Sequence, residues 1–218
     1  MGYRPPVFRV CERCGEWIDE IVVFEGAMVC THCGLSRPFV RLPLFQLTGA
    51  SGAGKSRVYL DLPAALPECV VLDQDIVLSG LPWEQHRKNW LRVAMNIHQG
   101  GRSTVLIATQ LPEHDESLPE RAWFSEIHYL ALVCDNEVLG KRLRERPAWR
   151  GASEERIAEM QTFNEWLKAN AAATSPPMTL LDTTGSEPTE SVAAVAAWVR
   201  ARLPGPSRSV SSRSRSSH

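Results

Sequence analysis

A short apolar run that leads straight into a glycine loop ending in Gly-Lys-Ser restricts this chain to few folds. Leu44-Phe-Gln-Leu-Thr48 has the pattern of a buried strand, and Gly49, Ala50, Ser51, Gly52, Ala53, Gly54, Lys55 and Ser56 follow without a break. The small residues between Gly49 and Gly54 let successive backbone N–H groups turn inward around a polyphosphate. Lys55 sets a compact positive charge where the outer phosphates lie. Ser56 offers a hydroxyl to Mg²⁺ at the first turn of a helix whose positive dipole end faces the same anion.

The remainder fits such a loop. After Arg41-Leu-Pro43, β-type runs alternate with helical periodicity, the mark of a parallel sheet covered on both faces. Strands are expected at Leu44–Thr48, Cys69–Asp73, Thr104–Ala108, Ile127–Cys134 and Met178–Asp182. Helices are expected near Lys55–Leu66, Trp83–Gln99, Asn136–Arg146, Ser153–Ala172 and Pro188–Leu203, with Ser153 and Ser186 as N-caps. Beyond Leu203 the composition shifts to Pro-Gly-Pro and a Ser/Arg run, read as a disordered tail over residues 205–218.

Upstream, Cys11-Glu-Arg-Cys14-Gly15 and Cys30-Thr-His-Cys33-Gly34 form two knuckles separated by fifteen residues. That spacing closes a tetrahedral four-thiolate site around Zn²⁺, and four sulfurs leave no open coordination position for catalysis. A hairpin turning at Glu25-Gly26 is expected between the knuckles. A lobe of about forty residues buries too little apolar surface to fold alone, so the metal holds it together. The chain thus divides into a zinc ribbon (1–41), a nucleotide-binding domain (42–204) and the tail.

Composition excludes more than it identifies. The formal net charge is −1, so no global field draws the molecule to nucleic acid or anionic lipid. Within the ribbon, Arg4, Arg9, Arg13, Arg37 and Arg41 are matched by Glu12, Glu16, Asp19, Glu20 and Glu25, which leaves a basic nucleic-acid face unsupported. No apolar run approaches the roughly twenty residues of a membrane span, and the N-terminus lacks the apolar core of a signal peptide. The paired cysteines suit a reducing compartment, and Cys69 and Cys134 sit in strand-like runs where they pack as inert side chains. A cytoplasmic protein is expected.

Two further segments carry chemistry. Asp73-Gln-Asp75 follows the second strand, placing both carboxylates at the carboxyl edge of the sheet, where such folds bind ligands. Lys141-Arg-Leu-Arg-Glu-Arg-Pro-Ala-Trp-Arg150 supplies cations, with Arg142 and Arg146 four residues apart and Pro147 ending the helix where a lid begins. Trp83, Gln85, Arg87 and Trp90 are secondary candidates beside an acceptor pocket, as are Thr109 and Gln110 after the third strand. Trp149, Phe163 and Trp166 are read as lid packing. His86, His98, His114 and His128 show no partner spacing and receive no role.

With these residues in place, the segment from Leu42 to Leu203 resembles the P-loop small-molecule and nucleotide kinases, the group that includes shikimate kinase, gluconate kinase and the chloramphenicol phosphotransferases. The resemblance implies a three-layer α/β fold with strand order 2-3-1-4-5 and an ATP- and Mg²⁺-dependent transfer to a small metabolite, nucleoside or nucleotide. By the same resemblance Gly49 to Ser56 and Arg57 hold ATP phosphates, and Ser56 and Asp73 serve magnesium. Asp75 faces the acceptor, Arg146 is the lid arginine, and Arg142 and Pro188 flank adenine. Two departures stand out. Arg57 replaces the usual threonine after Gly-Lys-Ser, and the third strand carries no acid. A 5′-hydroxyl polynucleotide kinase or RNA-binding protein, and a slow regulatory ATPase whose ribbon recruits a partner, are the alternatives.

Overall fold

The computed structural model describes residues 9–18, 21–77 and 80–205. The Ser/Arg run from 206 onward and Arg4, Asp19 and Glu20 of the ribbon's charge balance lie outside the described residues. No helix among them is long and apolar enough to cross a membrane.

Two sheets organise the chain. The first is antiparallel and small, with β1 (Val22–Phe24), β2 (Ala27–Val29) and β3 (Ser36–Pro38) in that order. Val22 pairs with Val29 and Phe24 with Ala27, so Glu25-Gly26 is the expected two-residue turn, with φ of 48° and 76° at its centre. β3 is an addition, since Ser-Arg-Pro has no apolar alternation to announce it. Each knuckle closes in the same way: Gly15 N–H donates to the Cys11 carbonyl and Gly34 N–H to the Cys30 carbonyl, both at 2.9 Å.

The second sheet is parallel throughout. It comprises β4 (Leu44–Gly49), β5 (Cys69–Asp73), β6 (Ser103–Ile107), β7 (Ile127–Val133) and β8 (Thr179–Asp182). Their order is β5-β6-β4-β7-β8, the anticipated 2-3-1-4-5. β4 is central, paired on both edges, and all six of its residues are buried. Alternate residues feed two apolar clusters, one per face. Phe45, Leu47, Leu130 and Leu132 join Val58, Leu62, Val195 and Val199 on one side. Leu44, Tyr129, Ala131 and Val133 join Trp90, Leu91, Met95, Phe124 and Leu167 on the other.

Among the described residues six α-helices complete the three layers: α1 (Lys55–Ala65), α2 (Trp83–Gln99), α3 (Pro112–Glu116), α4 (Asn136–Arg144), α5 (Glu154–Asn170) and α6 (Pro188–Arg200). Ser153 caps α5 as expected, its side chain accepting from Arg156 N–H at 3.2 Å. Ser186 does not cap α6. Glu187 takes that position in a reciprocal box with Glu190, whose carboxylate accepts from the Glu187 N–H at 2.9 Å. α4 stops at Arg144, two residues short of the expected end, so Arg146 stands in the turn before Pro147 rather than on the helix. Pro147 accounts for this, because a proline disfavours helical geometry at the residue before it.

Candidate active site

The glycine loop lies between the end of β4 and the start of α1, where the parallel strands present their carboxyl edge. Ala50 and Ala53 are fully buried and fix the loop from beneath, and Ala53 N–H donates to the Ala50 carbonyl at 3.1 Å. Thr183, at the end of β8, donates its hydroxyl to the Ala53 carbonyl at 3.0 Å, tying the loop to the far side of the sheet. Lys55 Nζ donates to the carbonyls of Gly49 and Ala50, the latter at 3.1 Å. Burial lowers the Lys55 ammonium to about 8, with Asp75 pulling the other way. A polyanion in the cradle pushes it back up.

Above the loop is a cavity of about 230 Å³. Its floor is Ala50 to Ser56 less the buried Ala53, and Arg57, Arg142, Arg146 and Arg150 surround it. Four guanidiniums against one carboxylate, Asp75, make this a strongly anion-selective space. The sequence-predicted Gly52, Gly54, Lys55, Ser56, Arg57, Arg142 and Arg146 therefore come together here. Gly49 lies under the loop and presents its carbonyl to Lys55 and, at 3.3 Å, to the Thr109 hydroxyl. Arg150 was not singled out from sequence, although it ends the same basic run.

Beside the cradle, Gly54, Arg57, Val58, Arg142, Thr183 and Pro188 line a second cavity of about 200 Å³ with Ser186 and Ser191. Arg142 is anchored there: it donates to the Thr183 carbonyl at 2.9 Å and reaches the Gly52 carbonyl at 3.4 Å. Its guanidinium and Pro188 both line this slot, whose walls are apolar and polar.

On the other side is a larger space of about 560 Å³. Trp83, His86 and Arg87 of α2 form one wall, and Thr109, Gln110 and His114 another. Ser51, Asp75 and Thr109 line both this space and the phosphate cradle, so the two share a wall. Asp73 stands one step behind, where its carboxylate accepts the Asp75 backbone N–H at 2.9 Å and holds the loop that presents Asp75. Gln85 instead donates to Asn89, and Trp90 is buried in the core. His86 and His114, given no role from sequence, both line the cavity. Periodicity cannot find such residues, because the short α3 that carries His114 has no apolar repeat.

Of the three aromatics read as lid packing, Phe163 and Trp166 stack at 6.3 Å. Trp149 does not pack, being 83% exposed.

α3 also carries Asp115, fully buried, with Gln46 Nε2 donating to it at 2.7 Å. Burial raises its carboxyl to about 7. The folded state then holds a proton that the unfolded chain has released, so this group alone makes stability fall as pH rises from about 4 to 7. His98, buried on α2 against Phe124, has the opposite sign: burial lowers it to about 4, and its contribution grows with pH up to the ordinary histidine range. The two oppose each other. Urea unfolding of Asp115→Asn should show stability rising more steeply between about pH 4 and 6.5 than in the parent chain. A parent and variant with the same slope would contradict the protonated Asp115.

The knuckle sulfurs of Cys11, Cys14, Cys30 and Cys33 all lie within 4.8 Å of one another, with Cys11–Cys33 at 3.5 Å and Cys14–Cys30 at 3.8 Å. Zinc–sulfur bonds of about 2.3 Å give a tetrahedron with edges of about 3.8 Å, so the donor set fits Zn²⁺. A hydrogen bond from the Cys14 backbone leads the influences that lower the Cys11 thiol to about 6, toward the thiolate a metal needs.

No protein-family model and no curated protein matches this chain. Solved structures do. A sugar kinase from Janibacter sp. HTCC2649 superposes with a TM-score of 0.51 at 17% identity, over 76% of this chain and 99% of that one. A gluconokinase from Sinorhizobium meliloti 1021 gives 0.50 at 17% identity, over 76% and 95%. The chain has the P-loop kinase fold. The four-cysteine ribbon precedes this fold in the chain.

Proposed function

We propose that this protein is an ATP- and Mg²⁺-dependent phosphotransferase that acts on a small hydroxyl compound bearing an anionic group. The observation that supports it most is the shared wall: Asp75 faces both the anion cradle and the neighbouring cavity, so one carboxylate touches donor and acceptor spaces together. In this reading Gly49 to Ser56 and Arg57 hold the triphosphate, and Arg142 and Pro188 enclose the base. Ser56 and Asp73 would hold Mg²⁺, which would neutralise charge on the terminal phosphates. Asp75 accepts the proton of the acceptor hydroxyl as its oxygen approaches phosphorus. Lys55 and Arg146 follow the charge that spreads over the transferred group. Zinc ligation by the four thiolates suits a reducing cytoplasm.

The acceptor's anionic group is inferred from Arg87. Its Nε is buried without a hydrogen-bond partner, in a residue that lines the large cavity. An unpaired buried donor is costly unless a ligand oxygen meets it. Arg87→Ala should therefore reduce kcat/KM for the acceptor by about 10- to 100-fold and leave ATP affinity unchanged.

The deciding assay offers γ-labelled ATP with pooled hydroxy acids, sugar phosphates, nucleosides and 5′-hydroxyl oligonucleotides. Label is expected in an anionic small molecule. Label only in oligonucleotides would transfer the reading to a polynucleotide kinase, and binding without transfer to any pool would leave a regulatory ATPase.

A further inference from the structure

No described residue of the ribbon lines the large cavity, yet one helix reaches both. α2 is 17 residues long, or about 25 Å. Its first turns supply Trp83, His86 and Arg87 to the cavity. One turn further on, Trp90, Leu91, Ala94 and Met95 enter the same apolar cluster as Ile18, Ile21, Met28 and Phe39 of the ribbon. That cluster also contains Cys11 and Cys30, whose sulfurs belong to the metal site. At its far end α2 is pinned again. Gln99 donates to the Val40 carbonyl and accepts from the Val40 N–H, both at 3.0 Å. The turn that packs on α2 is held likewise, Trp123 Nε1 donating to the Ile21 carbonyl at 3.3 Å.

The nucleotide side depends on it less, β4 giving only Leu44 to that cluster. The cradle stands on β4 and α1, α1 packs on α6, and among the described residues no ribbon residue lines any of the three cavities. The three ribbon strands have three residues each, so without metal only their short ladders and the shared apolar cluster would hold them.

We propose that the zinc ribbon is a metal-dependent clamp on α2: when loaded it holds Trp83, His86 and Arg87 against the large cavity, and it leaves the nucleotide cradle independent. Zinc here acts at a distance, as a positioning element for one cavity. That this cavity receives the acceptor rests on the proposed function; the clamp on α2 does not.

The test uses the full chain before and after zinc is removed with a chelator, with hydrogen–deuterium exchange followed helix by helix. Amide exchange in α2 should rise about tenfold or more while α1 and α6 keep their protection. ATP affinity should stay within about twofold, and the acceptor KM should rise about tenfold, both recovering when zinc is returned. Gln99→Ala supplies a variant that retains all four thiolates. It should bind zinc normally, yet show several-fold faster exchange in the last turns of α2. Unchanged α2 exchange on chelation, or in Gln99→Ala, overturns the clamp, as does equal loss of protection in α1 and α6. If α2 loosens as expected but no acceptor is ever phosphorylated, the clamp stands and the phosphotransferase reading fails.

Discussion

Asp75→Asn should bind Mg²⁺–ATP as tightly as the parent chain and transfer phosphate about 10²- to 10⁴-fold more slowly, the range by which a positioned general base accelerates such reactions. The geometry makes the two effects separable. Asp75 is exposed at the shared wall, and its side chain takes no part in the hydrogen bonds that shape the glycine loop. An asparagine keeps the size and removes the basic oxygen. It also removes a negative charge near the phosphates, so affinity for the nucleotide is retained or gains slightly. Asp73→Asn behaves differently, because its remaining carbonyl oxygen still accepts the Asp75 N–H and the loop keeps its form. The expected change there is a higher magnesium requirement. Single-turnover transfer beside equilibrium ATP binding separates the two variants, and undiminished turnover in Asp75→Asn removes the base assignment.

Much of this arrangement was legible in the sequence because it is local. A strand, a small-residue loop and a helix start lie within Leu44 to Ser56, and the knuckles are each four residues long. Short apolar β-type runs set between helical periods located every strand of the parallel sheet to within one residue at each end. What escaped depends on distance in space. His86 and His114 are 28 residues apart and meet only because β6 brings the start of α3 beside α2. The exchange of Ser186 for Glu187 at the α6 cap has a similar cause. The Ser186 hydroxyl reaches back to the Asp182 carbonyl at 3.4 Å, and Glu187, next to Pro188, is left to receive the cap. The continuity of the ribbon core with α2 was hidden for a further reason. The apolar residues of Ile18 to Phe39 and of Trp90 to Met95 satisfy their own local periods, and nothing in either period shows that the two faces meet.

Gly49→Ala should destabilise the fold by several kcal/mol, from backbone strain of about 1–3 and overpacking of about 1–3. Gly49 closes β4 with φ of 145° and pairs with Leu132 on β7. A Cβ there would lie 2.5 Å from the Leu132 carbonyl oxygen, a main-chain atom in the middle of the sheet. Neither strand can withdraw without parting the central ladder, since β4 is held by β6 on its other edge. Gly54→Ala is the control. Its φ of 101° imposes strain as well, but the nearest atom to an added Cβ is the Thr183 hydroxyl at 3.9 Å, so only the conformational part, about 1–3 kcal/mol, is expected. The two glycines frame one loop, and substituting them separates space from conformation. In urea unfolding Gly49→Ala should lose more stability than Gly54→Ala, and its ATP affinity should drop as well, because the carbonyls that meet Lys55 move with the strand. Equal losses would mean that the approach of β4 to β7, and the rigidity it lends the cradle, does not set the demand for glycine at this position.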